Sequence, residues 1–307
     1  MQMKVLVTGG AGFIGSHLVR RLVQSGYEVV VFDNFSTGSS ENLGEFMGDI
    51  EVIEGDVRDR EAVEAVAQQA DGVVHLAALI DVAESLQKPF LYLDVNVRGT
   101  LNVLQAARRA GVFVFASSAA VYGNPVRLPI DEEHPLQPLS PYGASKVAGE
   151  ALVSAYAHIH GFRPVVLRLF NVYGPKQSKA YAGVVVEFIK RIQRGEPPVI
   201  FGDGAQTRDL VFIDDVVEYF VRALALERVR GVYNIGSGKP ISVLELAEIV
   251  ARVLGRPDLK PLHTAPRVGD IKHSFASIAR AVRDFGYEAS IPLEEGIRRT
   301  IKALRDE

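Results

Sequence analysis

Thr8-Gly-Gly-Ala-Gly-Phe-Ile-Gly15 is the stretch whose reading decides the fold. It follows a short valine-rich run, Val5–Val7, and opens an amphipathic one, Gly12–Ser25. Gly9, Gly12 and Gly15 recur at every third residue. That spacing suits a tight strand-to-helix turn whose backbone can touch a diphosphate, with the helix packed close to the sheet. The helix N-terminus then offers free N–H groups and the positive end of its dipole to the anion. Alone, such a turn is only a flexible loop; its surroundings give it meaning.

Those surroundings alternate. Val5–Val7, Glu28–Phe32, Glu51–Ile53, Gly72–Leu76, Val112–Ala116 and Arg163–Phe170 are near-continuous apolar runs, as in strands covered on both faces. Between them, Gly12–Ser25, Arg60–Gln68, Phe90–Ala110 and Pro141–His160 carry helical patterns. The alternation predicts an α/β fold with a doubly wound parallel sheet of the Rossmann type. Beyond Asn171 the rhythm shortens: helices are predicted over Gly183–Arg194, Asp214–Ala225 and Ser242–Leu254, with a strand over Val232–Ile235. The last helix carries a capping serine with Glu245 three residues on. This divides the chain into a nucleotide-binding domain, 1–170, and a smaller mixed α/β substrate-binding region, 171–307, with part of 200–240 able to return to the first.

The strand ends agree with a dinucleotide. Asp33 closes the second strand 18 residues after Gly15, where a carboxylate binds both ribose hydroxyls of adenosine and repels the 2′-phosphate of NADP. NAD is therefore the expected cofactor. Asp56-Val57 follows the third strand, beside the adenine edge, and Leu76-Ala77-Ala78 ends the fourth, where small residues let a dinucleotide cross the sheet.

Tyr142-Gly-Ala-Ser-Lys146 sets a phenol and an ammonium one helical turn apart on a shared face. A nearby cation favours the phenolate, so the pair can serve as a general base for a sugar hydroxyl. An exposed Tyr-Lys pair is common and by itself says little. Here Ser117-Ser118 ends the fifth strand, at the carboxyl edge of the sheet where such folds bind ligands.

Taken in order, these motifs make the sequence resemble the extended short-chain dehydrogenase/reductase family, in its UDP-glucose (UDP-galactose) 4-epimerase branch. The resemblance spans essentially the whole chain. It rests on Thr8–His17, Asp33-Asn-Phe-Ser-Thr-Gly38, Gly55–Asp59, Ser117-Ser-Ala-Ala-Val-Tyr-Gly123, Ser140–Lys146 and Leu167–Pro175. It implies Ser118, Tyr142 and Lys146 as the catalytic set, with Tyr142 and Lys146 also touching the cofactor, the lysine at the nicotinamide ribose. It adds Phe13, Ile14 and Asn34 to the cofactor residues, and Asn171, Arg208 and Arg267 to the substrate residues. Arginine suits a diphosphate because its guanidinium pairs with phosphate in a bidentate fashion. Two positions depart from the branch: Ile80 stands where a lysine touches the cofactor phosphates, and Leu169 where a tyrosine is found. Dehydratases and decarboxylases on this scaffold add acidic groups just after the active-site Ser/Thr. Ala119 and Ala120 occupy those places here, which leaves only oxidation at C4, rotation of the keto sugar and reduction.

The resemblance therefore implies an NAD-dependent UDP-hexose 4-epimerase. An epimerase of UDP-glucuronate or UDP-pentoses is the nearest alternative, and a non-catalytic NAD-binding sensor or scaffold a distant one. Ser274, seven residues past Arg267, matches a position facing the sugar; a small residue there leaves room for a 2-acetamido group. By the same resemblance the helices over Phe90–Ala110 and Pro141–His160 pair in a homodimer.

Composition excludes other classes. The 307 residues are 48% hydrophobic and 23% charged, with 34 basic and 37 acidic side chains and a formal charge of -3. Nothing in that balance draws the chain toward nucleic acid or an anionic membrane. With no cysteine, thiolate catalysis and disulfides are out, and the seven histidines are scattered, so no metal is assigned. The N-terminal apolar run is too short for a signal peptide and no stretch could span a bilayer, so a cytoplasmic location is expected.

Overall fold

The computed structural model describes residues 2–177, 183–266 and 271–306. Each apolar run of the first half becomes a strand: β1 (Lys4–Thr8), β2 (Glu28–Asp33), β3 (Ile50–Glu54), β4 (Gly72–His75), β5 (Val112–Ser118) and β6 (Arg163–Leu169). Shorter strands follow: β7 (Asn171–Tyr173), β8 (Val199–Phe201), β9 (Thr207–Phe212), β10 (Gly231–Ile235), β11 (Pro240–Ser242) and β12 (Leu262–Thr264). The large sheet is wholly parallel in the order β10-β6-β5-β4-β1-β2-β3. β10 thus re-enters it from the C-terminal half. The rest form β11-β9-β7 and β12-β8.

Side-chain alternation explains why the runs of the central strands are nearly all apolar. Val5, Val7, Val29, Val31 and Val74 enter one core, while Leu6, Val30, Phe32 and Val73 enter the other. Helices cover both faces, as a parallel sheet demands. α1 (Phe13–Gln24) lies on the first face, where a later helix over Ile213–Ala225 meets it; on the second lies α2 (Arg60–Ala67).

One expected helix, over Phe90–Ala110, is not continuous. α3 (Val82–Gln87) precedes it, α4 (Pro89–Leu93) begins it, a π turn occupies Asp94–Arg98, and α5 (Gly99–Ala106) ends it. Asn96 causes the break: it is 2% exposed, and its amide bonds outside the helix to both backbone groups of Leu79. Thr100 Oγ1 meanwhile donates to the Asn96 carbonyl. π turns of this kind concentrate at functional sites.

α6 (Pro141–His160) matches its expected span because both ends are signalled in sequence. Ser140 Oγ accepts from Gly143 N–H at 3.1 Å, Pro141 fills the first helical position, and Gly161 closes the helix at φ 80°. Among the described residues, five more helices follow: α7 (Val184–Gln193), α8 (Ile213–Ala225), α9 (Val243–Val253), α10 (Ala279–Phe285) and α11 (Leu293–Asp306). Ser242 and Glu245 form the predicted capping box at α9.

The strand order reverses between β1 and β4, and ligands of open α/β sheets bind at the carboxyl end of such a switch point. The glycine turn after β1 and Leu76-Ala77-Ala78 after β4 both lie there.

Candidate active site

The glycine turn is built to let backbone approach backbone. At Gly9 (φ +73°) a Cβ would meet Ala77 N at 2.7 Å; at Gly15 it would lie 2.1 Å from Gly9 O. Gly12 differs, because a Cβ there meets only Gly9 O, at 3.3 Å. Gly12 caps α1 without a side-chain bond, so the first-turn N–H groups face an open approach suited to a diphosphate.

Asp33 is 7% exposed, with Oδ2 accepting from Ala11 N–H and Oδ1 from Phe35 N–H, both at 2.9 Å. Burial pushes its carboxyl up, and those N–H groups pull it back. Each oxygen keeps a lone pair for a ribose hydroxyl. Asn34 Nδ2 donates to Asp56 at 2.8 Å, and Arg58 grips the same carboxylate through Nε and a terminal nitrogen, at 2.9 and 2.7 Å. The Arg58 guanidinium holds Asp56 well below the usual carboxylate range.

Ser118, Tyr142 and Lys146 converge on the same cleft, of about 610 Å³, which also takes in Asn171 and, of the expected cofactor residues, all but Asp56. Asp56 is tied instead to two residues that line it, Asn34 and Arg58. Ser118 Oγ accepts from Ala120 N–H at 3.2 Å, which aims the serine off the end of β5. Lys146 is 4% exposed; its Nζ donates to Ala116 O at 2.9 Å and lies 5.1 Å from the Phe115 ring centre. Burial lowers its ammonium to about 8, with Glu150 pulling the other way. Tyr142 corrects the sequence reading. A neighbouring cation was expected to lower its phenol, but burial raises it and only the hydrogen bond with Ser118 opposes this.

The substrate residues are less united. Ile80, 51% exposed, and Leu169, 8% exposed, both line the cleft. Arg208 on β9 donates to the Thr207 carbonyl at 2.8 Å, and Ser274 N–H reaches that same oxygen at 3.2 Å. The two are brought together, but neither lines the cleft around Tyr142. Arg267 lies outside the described residues.

Sequence reasoning missed Asn96. Its Nδ2 also reaches Ser145 Oγ at 3.0 Å, and Ser145 donates to Tyr142 O at 2.7 Å. The asparagine therefore pins the loop after β4 to the turn of α6 between Tyr142 and Lys146. An asparagine inside an otherwise helical pattern, Asp94-Val-Asn-Val97, was the available signal.

Residues 5–236 match the family described as the NAD dependent epimerase/dehydratase family. The chain belongs to that family. Its cofactor is NAD, and the cradle of open glycine backbone and Asp33 fits it. A UDP-glucose 4-epimerase of Mycolicibacterium smegmatis is 40% identical over 311 residues, covering 99% of each chain. A UDP-glucuronic acid decarboxylase of Arabidopsis thaliana is 34% identical, over 99% of this chain and 70% of its own. Among solved structures, UDP-glucose 4-epimerase with UDP-glucose from Thermotoga maritima superposes with a TM-score of 0.93, at 37% identity and 99% coverage of both chains. The chain is thus a nucleotide-sugar enzyme of the epimerase/dehydratase family. Among the described residues no helix is long and apolar enough to cross a membrane, and no cluster of side chains could hold a metal ion.

Proposed function

We propose that the chain interconverts UDP-glucose and UDP-galactose by transient oxidation at C4. The observation that carries this is the short inventory of proton-moving groups in the cleft. Ser118, Tyr142 and Lys146 stand together, and the two residues after Ser118 are Ala119 and Ala120. Elimination of water needs a further acid and base beside the sugar, and two methyl groups supply neither.

NAD, when bound, supplies the acceptor and donor for the hydrogen at C4. Tyr142 takes the proton from O4 during oxidation and returns it during reduction. Ser118, hydrogen-bonded to the phenol, holds O4 against it. Lys146, as an ammonium one helical turn from Tyr142, would hold the nicotinamide ribose. The mostly apolar floor of the cleft excludes water from the reacting carbon. Asn171, Arg208 and Arg267 take the nucleotide diphosphate side.

The test is a panel of UDP-sugars incubated with the purified protein, with products separated and weighed. The reading expects an isomeric product from UDP-galactose; a product lacking water or carbon dioxide contradicts it.

The same reading includes a homodimer through α4, α5 and α6. Phe90 is 86%, Leu93 43% and Ile159 64% exposed, an apolar surface of the kind interfaces cover. Light scattering that gives a monomer mass at micromolar concentration would contradict it.

A further inference from the structure

A line of buried polar groups runs behind the cleft, and the mechanism above uses none of them. Ser117, next to Ser118, donates to Glu150 Oε1 at 2.5 Å. Arg168 on β6 clasps that carboxylate from the other side, Nε to Oε1 at 2.9 Å and a terminal nitrogen to Oε2 at 2.7 Å. Its remaining terminal nitrogen donates to the Tyr122 hydroxyl at 2.9 Å and to the Glu132 carbonyl at 3.1 Å. Tyr122 passes the line to Asn234 at 2.6 Å, and Asn234 Nδ2 donates to Ile130 O at 2.9 Å. Ile130 then bonds through its backbone to Phe275 and Ser277, one and three residues past Ser274.

Glu150 is 8% and Arg168 4% exposed. A buried ion pair adds little stability over well-packed apolar side chains, because desolvating both charges offsets their attraction. Its presence here calls for another reason, and position supplies one. Glu150 is one helical turn past Lys146, on the same face of α6.

We propose that Glu150 is a positioning residue of this active site: it fixes the strand end that carries Ser118, gives the buried Lys146 its counter-charge, and through Arg168 ties both to the segment bearing Ser274. The inference rests on the catalytic reading of Ser118, Tyr142 and Lys146. The charged and titratable groups around Lys146 are Tyr142 and Glu150 on its own helix, His75 on β4, and Arg168 on β6, already paired with Glu150. Burial keeps His75 neutral at working pH, at about 3. Glu150 is therefore the one negative charge near Lys146 in that set.

Glu150→Gln keeps the shape and removes the charge. An opposite charge nearby is worth about one pH unit or more. With Lys146 at about 8, a one-unit drop leaves about a tenth of it charged at pH 8 instead of half, so kcat should fall about five-fold there. The deficit should shrink toward pH 6, and KM and bound NAD should stay near their original values.

Because Glu150→Gln strands the Arg168 charge, the double variant Glu150→Gln/Arg168→Met separates function from folding. A purely structural pair predicts that kcat recovers along with Tm. The positioning role predicts that Tm recovers while the basic limb of the kcat profile stays displaced to lower pH, by less than in Glu150→Gln because the Arg168 charge leaves as well. An NMR titration of lysine labelled at Cε, with Lys146 assigned by its loss in Lys146→Arg, reads the same shift without turnover. If UDP-galactose is not a substrate the function reading fails, and this titration still decides the present proposal. Superimposable pH profiles and an unmoved Lys146 titration in both variants would overturn it.

Discussion

Replacing Tyr142 with phenylalanine removes one oxygen from a side chain that is 8% exposed. The ring keeps its place, so no cavity opens and α6 keeps its register. The hydroxyl's partner is Ser118, and losing one such bond costs ~1 kcal/mol net, or roughly 1–2 °C in Tm for a chain of this size. Burial disfavours the phenolate, so removing the ionisable group also removes a charge that the cleft resists. Activity should respond on another scale. A general acid-base group contributes ~10²–10⁴-fold, equivalent to about 2.7–5.4 kcal/mol of barrier. The assay is the kcat for UDP-galactose conversion, followed by NMR, beside the NAD content and Tm of the same preparation. The expected outcome is a loss of two to four orders in kcat with NAD retained and Tm within a few degrees. Near-original turnover would refute Tyr142 as the base, and loss of NAD together with activity would leave it a cofactor residue only.

Gly15→Ala drives a Cβ to 2.1 Å from Gly9 O and 2.7 Å from Gly10 Cα, both backbone, so the turn must open; NAD affinity by calorimetry should drop about ten-fold or more. Asp33→Ser removes the charge that excludes a 2′-phosphate, and should weaken NAD while favouring NADP relative to it. Lys146 titrates at about 8, so its charged form is complete a unit below and lost a unit above; kcat should fall as pH rises through 8, and a flat profile to pH 10 would contradict this. Ser274→Tyr adds bulk beside Thr207, and should depress kcat/KM for UDP-N-acetylglucosamine and its galacto epimer by about ten-fold or more, corresponding to ~1–3 kcal/mol, while sparing UDP-galactose. Equal losses on both classes would remove Ser274 from the sugar pocket.

Most of the large sheet was legible because burial on both faces leaves little choice of residue in β1, β2, β4 and β5; the edge strand β3, with Glu51 and Glu54, was read from Val52 and Ile53. α6 was legible because Ser140, Pro141 and Gly161 mark its ends. The strands β7, β8, β11 and β12, of three residues each, were not, since so short a run carries no period. β9 escaped for another reason: Arg208 and Asp209 interrupt its apolar pattern, and Asp209 is fully buried, answered by Ser237, Gly238 and Ala276. In the site, the glycine turn and the Tyr-Lys pair could be read from spacing. The Asn96 clamp and the Glu150–Arg168 pair could not, because their meaning lies in partners 17 to 49 residues away. Nor could the direction of the Tyr142 shift, which depends on how deeply the fold buries it.

The most direct test of the central claim uses UDP-galactose carrying deuterium at C4. Oxidation and reduction at that carbon, with the hydrogen held on tightly bound NAD between the two steps, predict UDP-glucose that keeps the deuterium at C4, formed without net consumption of NAD. Absence of UDP-glucose, or UDP-glucose with the label washed out to solvent, would contradict the account.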